Sequence, residues 1–257
     1  YGALIRSKDP NAIITGGEEW GWSGYFMSGL DMENLDDADR DAHGGVEWYD
    51  WMLDQFKAYD DANGVRILDI LTAHIYPQSG EFSNDVSTSM MQLRNRSTRS
   101  LWDTTYVDES WIGGTFHEGK VQLIPRLKSW VANHYPGTKI GITEYNWGAE
   151  NHINGATAQA DILGILGREG VDLATRWEVP PTGSHVYNAF KIYRNYDGAH
   201  SKYGDVSISA SGPNPDNVAV FAALRSSDNT LTLMLVCKAL TDPTPATVNL
   251  ANFAASG

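Results

Sequence analysis

Short apolar segments alternate with longer segments whose apolar side chains recur every three or four positions. Apolar segments of this length predict buried β-strands, and the longer period predicts amphipathic helices. The predicted strands are residues 12–17, 68–73, 139–144 and 171–177, and the predicted helices are residues 46–61, 123–134, 156–169 and 185–196. This alternation of strand and helix predicts an α/β fold with a parallel sheet and right-handed crossovers.

The pattern changes near residue 203, where polar and apolar residues begin to alternate. The predicted strands there are residues 205–210, 218–224, 230–240 and 246–253. Residues 226–229 have the composition of a hairpin turn. We therefore predict an α/β domain over residues 1–200 and an antiparallel β domain, part of a sandwich, over residues 201–257.

Two long polar segments, residues 23–45 and residues 78–119, are predicted as loops. Loops of this length within a compact domain are usually functional, for example as part of a binding site.

The charge balance restricts the partners. The net charge is −13, from 19 basic and 32 acidic residues, and such a surface repels the phosphates of nucleic acid. No apolar run is long enough to span a membrane. Cys237 is the single cysteine, so no intrachain disulfide can form, and its apolar neighbours predict a buried thiol.

Neither a metal nor a cofactor is predicted. The histidines show no ligand spacing beyond His43 and Glu47, which could pair on one helix face and are a weak signal. The glycine pairs lack the flanking pattern of a phosphate loop. No Gly-x-Ser-x-Gly motif is present, which disfavours serine hydrolase chemistry.

The predicted strand 139–144 ends on a carboxylate, Glu144, followed at once by aromatic residues. Barrel enzymes keep their chemistry at the carboxyl ends of their strands, and retaining glycoside hydrolysis needs a carboxylate nucleophile. Glu144 is our candidate, and the alternative is a structural ion pair. His74 and Tyr76 point to one side of the preceding strand. Tyr76 could hold the nucleophile ionised, whereas His74 could equally be a core histidine.

Nine Trp and twelve Tyr are many for this length. They indicate either a rich core or flat surfaces on which sugar rings stack. The tryptophans with the best placement for stacking are Trp20, Trp22, Trp111, Trp147 and Trp177. Glu18 and Glu19 are a further acidic pair beside aromatics, so either could be a second catalytic carboxylate.

The motifs Ile-Thr-Glu-Tyr-Asn-Trp-Gly at 142–148, Ala-His-Ile-Tyr-Pro-Gln at 73–78 and Gly-Glu-Glu-Trp-Gly-Trp at 17–22 resemble glycoside hydrolase family 44. Residues 95–102 and 156–177 resemble it too. The resemblance implies a retaining endo-β-1,4-glucanase, often active on xyloglucan, with a (β/α)8 barrel joined to a β-sandwich. The predicted strands would be the fifth to eighth of the barrel. The expected partner is a β-glucan polysaccharide, which implies an extracellular protein.

The resemblance places the nucleophile on Glu144 and the family's His-x-Tyr on His74 and Tyr76. It also implies sugar contacts at Trp111 and Trp177, with Glu178 beside the latter. The full set of side chains predicted to contact substrate is Glu19, Trp20, Trp22, Trp111, Tyr145, Trp147, Trp177 and Glu178.

The family's acid/base glutamate lies in an Asn-Glu-Pro motif, and this chain contains no such tripeptide. We therefore expect the acid/base residue upstream of Tyr1 and expect the chain alone to be inactive. This argues against giving the acid/base role to Glu18 or Glu19. The alternatives are another barrel glycosidase, such as a mannanase or xylanase, and a carbohydrate-binding protein without catalysis.

Overall fold

A computed structural model describes residues 1–252. Its larger sheet is parallel, with strand order β1-β2-β3-β4. The strands are β1 (Thr15–Glu19), β2 (Ile70–Ile75), β3 (Lys139–Tyr145) and β4 (Leu173–Ala174). The predicted parallel α/β sheet is thus confirmed.

Helices connect these strands, and four of them are the predicted ones. The helices are α1 (Gly2–Lys8), α2 (Gly29–Asn34), α3 (Ala38–Ala42), α4 (Trp48–Asn63), α5 (Thr88–Ser97), α6 (Leu123–His134), α7 (Ile153–Arg168) and α8 (His185–Arg194). Helix α4 ends at Gly64, whose φ of 65° is in the left-handed region that glycine adopts without strain. Within residues 1–252, no helix is both long and apolar enough to cross a membrane.

The core lies between the parallel sheet and the helices that follow its strands. Leu53 of α4, Leu127 of α6, Leu71 of β2 and Ile142 of β3 are fully buried within one apolar cluster. Burying each such side chain contributes about 1.5–3 kcal/mol. This packing fixes the strands, and with them the positions of the side chains at the strand ends.

A second sheet is antiparallel, with order β5-β6-β7. Its strands are β5 (Val206–Ile208), β6 (Val218–Arg225) and β7 (Thr230–Cys237). The predicted hairpin joins β6 to β7, with Arg225 paired to Thr230. The sheet packs on α7 at Gly164, where a Cβ atom would lie 2.2 Å from the ring of Phe221. Only glycine allows this close approach.

Several sequence-based boundaries were wrong. Strand β1 begins at Thr15 rather than residue 12, and Ile13 is 73% exposed. Among the described residues β1 pairs only with β2, so its other side lacks a neighbour to bury it. The predicted loops contain helices: α2 and α3 lie within residues 23–45, and α5 lies within residues 78–119.

Two predictions for the C-terminal part also fail. Residues 246–252 form no strand, and Phe253, the last residue of that prediction, lies outside the described residues. Cys237 is exposed rather than buried. It is the last residue of β7, and on this outer strand Val236 is the neighbour that turns inward.

Candidate active site

The carboxyl ends of β2 and β3 bring Glu144, His74 and Tyr76 together. His74 is paired with Glu144 in the register of the two strands. The Tyr76 hydroxyl donates to Oε2 of Glu144 at 2.8 Å, and Nδ1 of His74 lies 3.3 Å from the same oxygen. No hydrogen bond to Oε1 of Glu144 is present within residues 1–252, so that oxygen remains available to a ligand.

Tyr76 donates a hydrogen bond to this carboxylate and does not give up its proton. Burial, followed by the hydrogen bond to Glu144, raises the pKa of Tyr76. The phenol therefore keeps its proton at neutral pH. A hydrogen bond to a carboxylate is stronger than one between neutral groups, so Tyr76 fixes the orientation of the Glu144 side chain.

Two β-bulges shape this edge of the sheet. The register of β1 and β2 shifts between Gly17 and Glu19, which makes Glu18 an extra residue. The register of β2 and β3 shifts at His74, which makes Thr143 an extra residue. Bulges next to active sites re-aim side chains, and here they turn the side chains of Glu18 and Thr143 towards each other.

The sequence did not predict the contacts that Glu18 makes. Its carboxylate accepts hydrogen bonds from Thr72 Oγ1 at 2.6 Å and Thr143 Oγ1 at 2.6 Å, and it lies 2.9 Å from Nε2 of His74. Burial alone would raise the pKa of Glu18, but the hydrogen bonds from Thr143, Thr72 and His74 outweigh it and lower the pKa. Glu18 is therefore an ionised acceptor and a poor proton donor. Only its strand-end position signalled a role.

Glu19 faces away from this group. Its Oε1 accepts from the indole of Trp48 at 3.0 Å, and the side chain packs against Gly24. Burial raises the pKa of Glu19, partly offset by the hydrogen bond from Trp48. The structure thus places this predicted substrate contact beside α4 instead of beside Glu144.

Three of the predicted aromatic platforms are exposed. Trp20 is 73% exposed, and Trp111 and Trp177 are each 53% exposed. Trp20 follows β1 and Trp177 follows β4, so both lie beyond the carboxyl ends of the strands. Trp111 reaches the end of β2 through its indole, which donates to Oε1 of Gln78 at 3.3 Å. These rings offer faces on which sugars could stack.

The other three predicted aromatic contacts lie in the core, and these predictions are corrected. Trp22, Tyr145 and Trp147 are each less than 5% exposed. Trp22 stacks on Phe116 with ring centroids 5.5 Å apart, and Trp147 donates to Ser97 Oγ at 2.9 Å. Tyr145 is buried because it alternates with Glu144 along β3, on the face that packs against the helices. None of the three presents a ring face to a sugar.

A buried clamp holds the segment that carries Trp177. Arg176, whose side chain is 4% exposed, donates to Asn146 Oδ1 at 2.9 Å and to Glu150 Oε1 at 2.8 Å. Asn146 in turn donates to the carbonyl of Trp177 at 2.6 Å. The exposed Glu178 follows directly. Sequence reasoning missed this clamp, although Asn146 stands two residues after Glu144.

Within the described part of the chain, no group of three or more His, Cys, Asp and Glu side chains is arranged to hold a metal ion. The weak pair suggested by sequence does not form. His43 contacts Asp39 within α3 and the turn after it, and Glu47 accepts from Nε2 of His117 at 2.8 Å.

Comparison with known proteins gives a consistent result. The profile described as "Glycoside hydrolase family 44" matches residues 1–79. Endoglucanase A of Paenibacillus lautus is 36% identical over 256 residues, which cover 96% of this chain and 35% of that protein. The chain thus spans about a third of this curated relative.

Solved structures agree. A bifunctional glucanase-xylanase from a metagenome library is 56% identical with a TM-score of 0.90, over 94% of this chain and 47% of that one. A Paenibacillus polymyxa xyloglucanase of family 44 is 34% identical with a TM-score of 0.79, over 91% of this chain and 46% of that one. The sequence matches and the shared fold lead to one conclusion: the chain resembles glycoside hydrolase family 44 in both sequence and structure.

Proposed function

We propose that this chain carries the nucleophile side of a retaining glycoside hydrolase site that acts on internal β-1,4 bonds of glucans or xyloglucan. One observation carries the proposal: Tyr76 and His74 both contact Oε2 of Glu144, and Oε1 is left to attack. Exposed tryptophans lie along the same edge of the sheet. The relatives named as endoglucanase and xyloglucanase support the substrate class.

In the proposed step, Oε1 of Glu144 forms a bond to the anomeric carbon while the bond to the leaving oxygen breaks. Tyr76 keeps its proton and maintains its hydrogen bond to Oε2, so the carboxylate stays oriented until attack. Stacking of the sugar on Trp177 would present the anomeric carbon to Glu144, and the clamp of Arg176 and Asn146 would hold that ring in place.

The leaving oxygen needs a proton from a second carboxyl group, which stands about 5–5.5 Å from the nucleophile in retaining enzymes. Glu18 has a lowered pKa, and Glu19 is bound to Trp48. We therefore assign the acid/base role to neither. The proposal places β1 to β4 as strands five to eight of a (β/α)8 barrel, with the acid/base glutamate on a strand outside these four and with β5 to β7 as part of a sandwich.

The experiment that tests the nucleophile uses a substrate that needs no acid. With 2,4-dinitrophenyl 2-deoxy-2-fluoro-β-cellobioside, the dinitrophenolate leaves as an anion and the fluorosugar stays bonded to the carboxylate. We expect the intact mass of the chain to rise by one fluorocellobiosyl unit, with the label on Glu144 after peptide mapping. The variant Glu144→Gln should remain unlabelled, and Glu47→Gln should label as the wild type does. Label on another residue would refute the assignment.

A second measurement tests whether the acid/base residue lies outside this chain. Without general acid catalysis the rate falls by about 10²–10⁴-fold, so we expect the chain alone to release almost no reducing sugar from carboxymethylcellulose or xyloglucan. Substantial turnover would show that the acid lies within these 257 residues. Because cellulose and xyloglucan do not enter cells, the proposal also places the complete protein outside the cell.

A xylan substrate is the second candidate, since the metagenomic relative is named as a bifunctional glucanase-xylanase. Trapping with the matching fluoroxylobioside separates the two. Labelling by the cellobioside alone favours a glucan site, and labelling by both favours a bifunctional one.

A further inference from the structure

The backbone of Glu18 has an unusual conformation. Its φ is 57°, in the left-handed region that residues other than glycine rarely adopt. It is also the extra residue of the bulge in β1. A residue is kept in such a conformation when the surrounding structure fixes it, and such residues cluster at functional sites.

Two of the three side chains that contact Glu18 connect it to Glu144. His74, which Glu18 binds through Nε2, contacts Glu144 through its other ring nitrogen. Thr143, which donates to Glu18, is the residue directly before Glu144 and the extra residue of the second bulge. Thr72 donates to the other oxygen of Glu18 and fixes the carboxylate against β2.

We propose that Glu18 is a positioning residue that sets the orientation of the nucleophile Glu144 through His74 and Thr143. Glu18 binds Nε2, so Nδ1 of His74 is directed at Oε2 of Glu144, beside the Tyr76 hydroxyl. It also holds Thr143 and therefore the bulge that aims Glu144. The inference rests on the proposed function, in which Glu144 is the nucleophile.

The first test does not depend on activity. Glu18→Gln keeps the shape of the side chain but removes its charge and leaves one acceptor oxygen for Thr72, Thr143 and His74, so the contact with the His74 ring should weaken. We expect the ring ¹⁵N resonances of His74 and the carboxyl ¹³C resonance of Glu144 to shift in this variant. Glu47→Gln is the matched control, because Glu47 binds His117 in the same way, and it should shift His117 but not His74. Unchanged His74 resonances in Glu18→Gln would overturn the inference.

The second test measures the rate of trapping by the fluorocellobioside. A misplacement of about 1 Å can cost about 10²-fold in rate, so Glu18→Gln should slow the trapping rate at saturation by about 10- to 100-fold. The reagent concentration at half-maximal rate should change little, because substrate contacts are intact. Thr143→Val, which removes one hydrogen bond, should give a smaller loss and serves as the test variant if Glu18→Gln does not fold.

The two hypotheses fail in different ways. If the wild type is not labelled at Glu144, the proposed function fails, and the His74 and Glu144 resonances still decide whether Glu18 positions them. If the wild type is labelled and Glu18→Gln is labelled at the same rate, the positioning role is wrong while the nucleophile assignment stands.

Discussion

A buried ion pair joins the second sheet to the helices behind the active site. Nζ of Lys238 lies 2.6 Å from Oδ2 of Asp161, and the two side chains are 2% and 3% exposed. Lys238 also donates to the carbonyl of Asn95 at 3.0 Å, and Thr98 donates to Asp161 at 2.7 Å. The prediction is that Lys238→Met destabilises the chain far more than loss of a surface pair.

The size of the stability loss follows from the burial of both side chains. Removing one partner leaves the carboxylate of Asp161 buried without its cation, which costs about 3–5 kcal/mol in comparable cases. That is a large part of a total stability of about 5–15 kcal/mol. Replacing both partners with apolar residues removes the desolvation penalty as well, so Lys238→Met with Asp161→Leu should recover much of the loss.

Urea unfolding followed by tryptophan fluorescence measures the effect. Lys57→Met is the control, because Lys57 and Asp61 form an exposed helical pair with 44% and 66% of their side chains accessible. Such pairs contribute about 0.3–0.5 kcal/mol. If Lys238→Met loses no more stability than Lys57→Met, or if the double variant is less stable than the single one, the account of the buried pair is refuted.

Three further predictions concern the site. Tyr76→Phe removes a hydrogen bond to a charged group, which contributes about 1.5–3 kcal/mol, so trapping at Glu144 should slow by about 10- to 150-fold; an unchanged rate would contradict the role of Tyr76. Trp177→Ala should weaken binding of a cello-oligosaccharide in calorimetry with little loss of stability, whereas Trp22→Ala should lower the free energy of unfolding by about 3–5 kcal/mol; the reverse pattern would overturn the assignment of surface and core. Burial raises the pKa of Glu19, so the stability that its protonated form provides is present below about pH 4.3 and is lost as the pH rises through the raised pKa. Glu19→Gln should therefore become more stable than the wild type as the pH rises from about 4 to 7, measured by urea unfolding. If the free energies of unfolding of the two proteins change with pH in parallel, this account of Glu19 is wrong.

The sequence predicted best those elements whose cause is local. Helix α6 was predicted with both boundaries correct, because its apolar period is clear and Tyr135-Pro136-Gly137 ends it. Helix α5 was missed for the opposite reason. It carries Arg94 and Asn95, which are buried and bonded to distant backbone and side-chain groups. Its inward face is therefore polar, and no apolar period marks it.

The same limit applies to the aromatic residues. Sequence placed Glu144, Tyr76 and His74 at neighbouring strand ends, and the structure brings them together. It could not sort the tryptophans, because the exposed Trp20 and the buried Trp22 stand only two residues apart in the same aromatic stretch. Which ring is covered depends on residues far away in the chain, such as Phe116 against Trp22.

Hydrogen bonds connect the ion pair of Lys238 and Asp161 to the candidate active site. The Lys238 ammonium donates to the carbonyl of Asn95 at 3.0 Å, and the Asn95 side chain accepts from Asn154 at 2.8 Å. Asn154 accepts from Arg94 at 2.6 Å, and Arg94 donates to the carbonyl of Trp147 at 2.7 Å.

An unbroken hydrogen-bonded path thus runs from the second sheet to the segment three residues beyond Glu144. Buried polar groups that share partners do not act independently, so displacing Lys238 should loosen Trp147 and, with it, the end of β3. We therefore expect Lys238→Met to slow fluorocellobioside trapping at Glu144 at a temperature where the variant is still folded, while Lys57→Met leaves the rate unchanged. Equal rates in the two variants would show that the second sheet stabilises the fold without supporting the nucleophile.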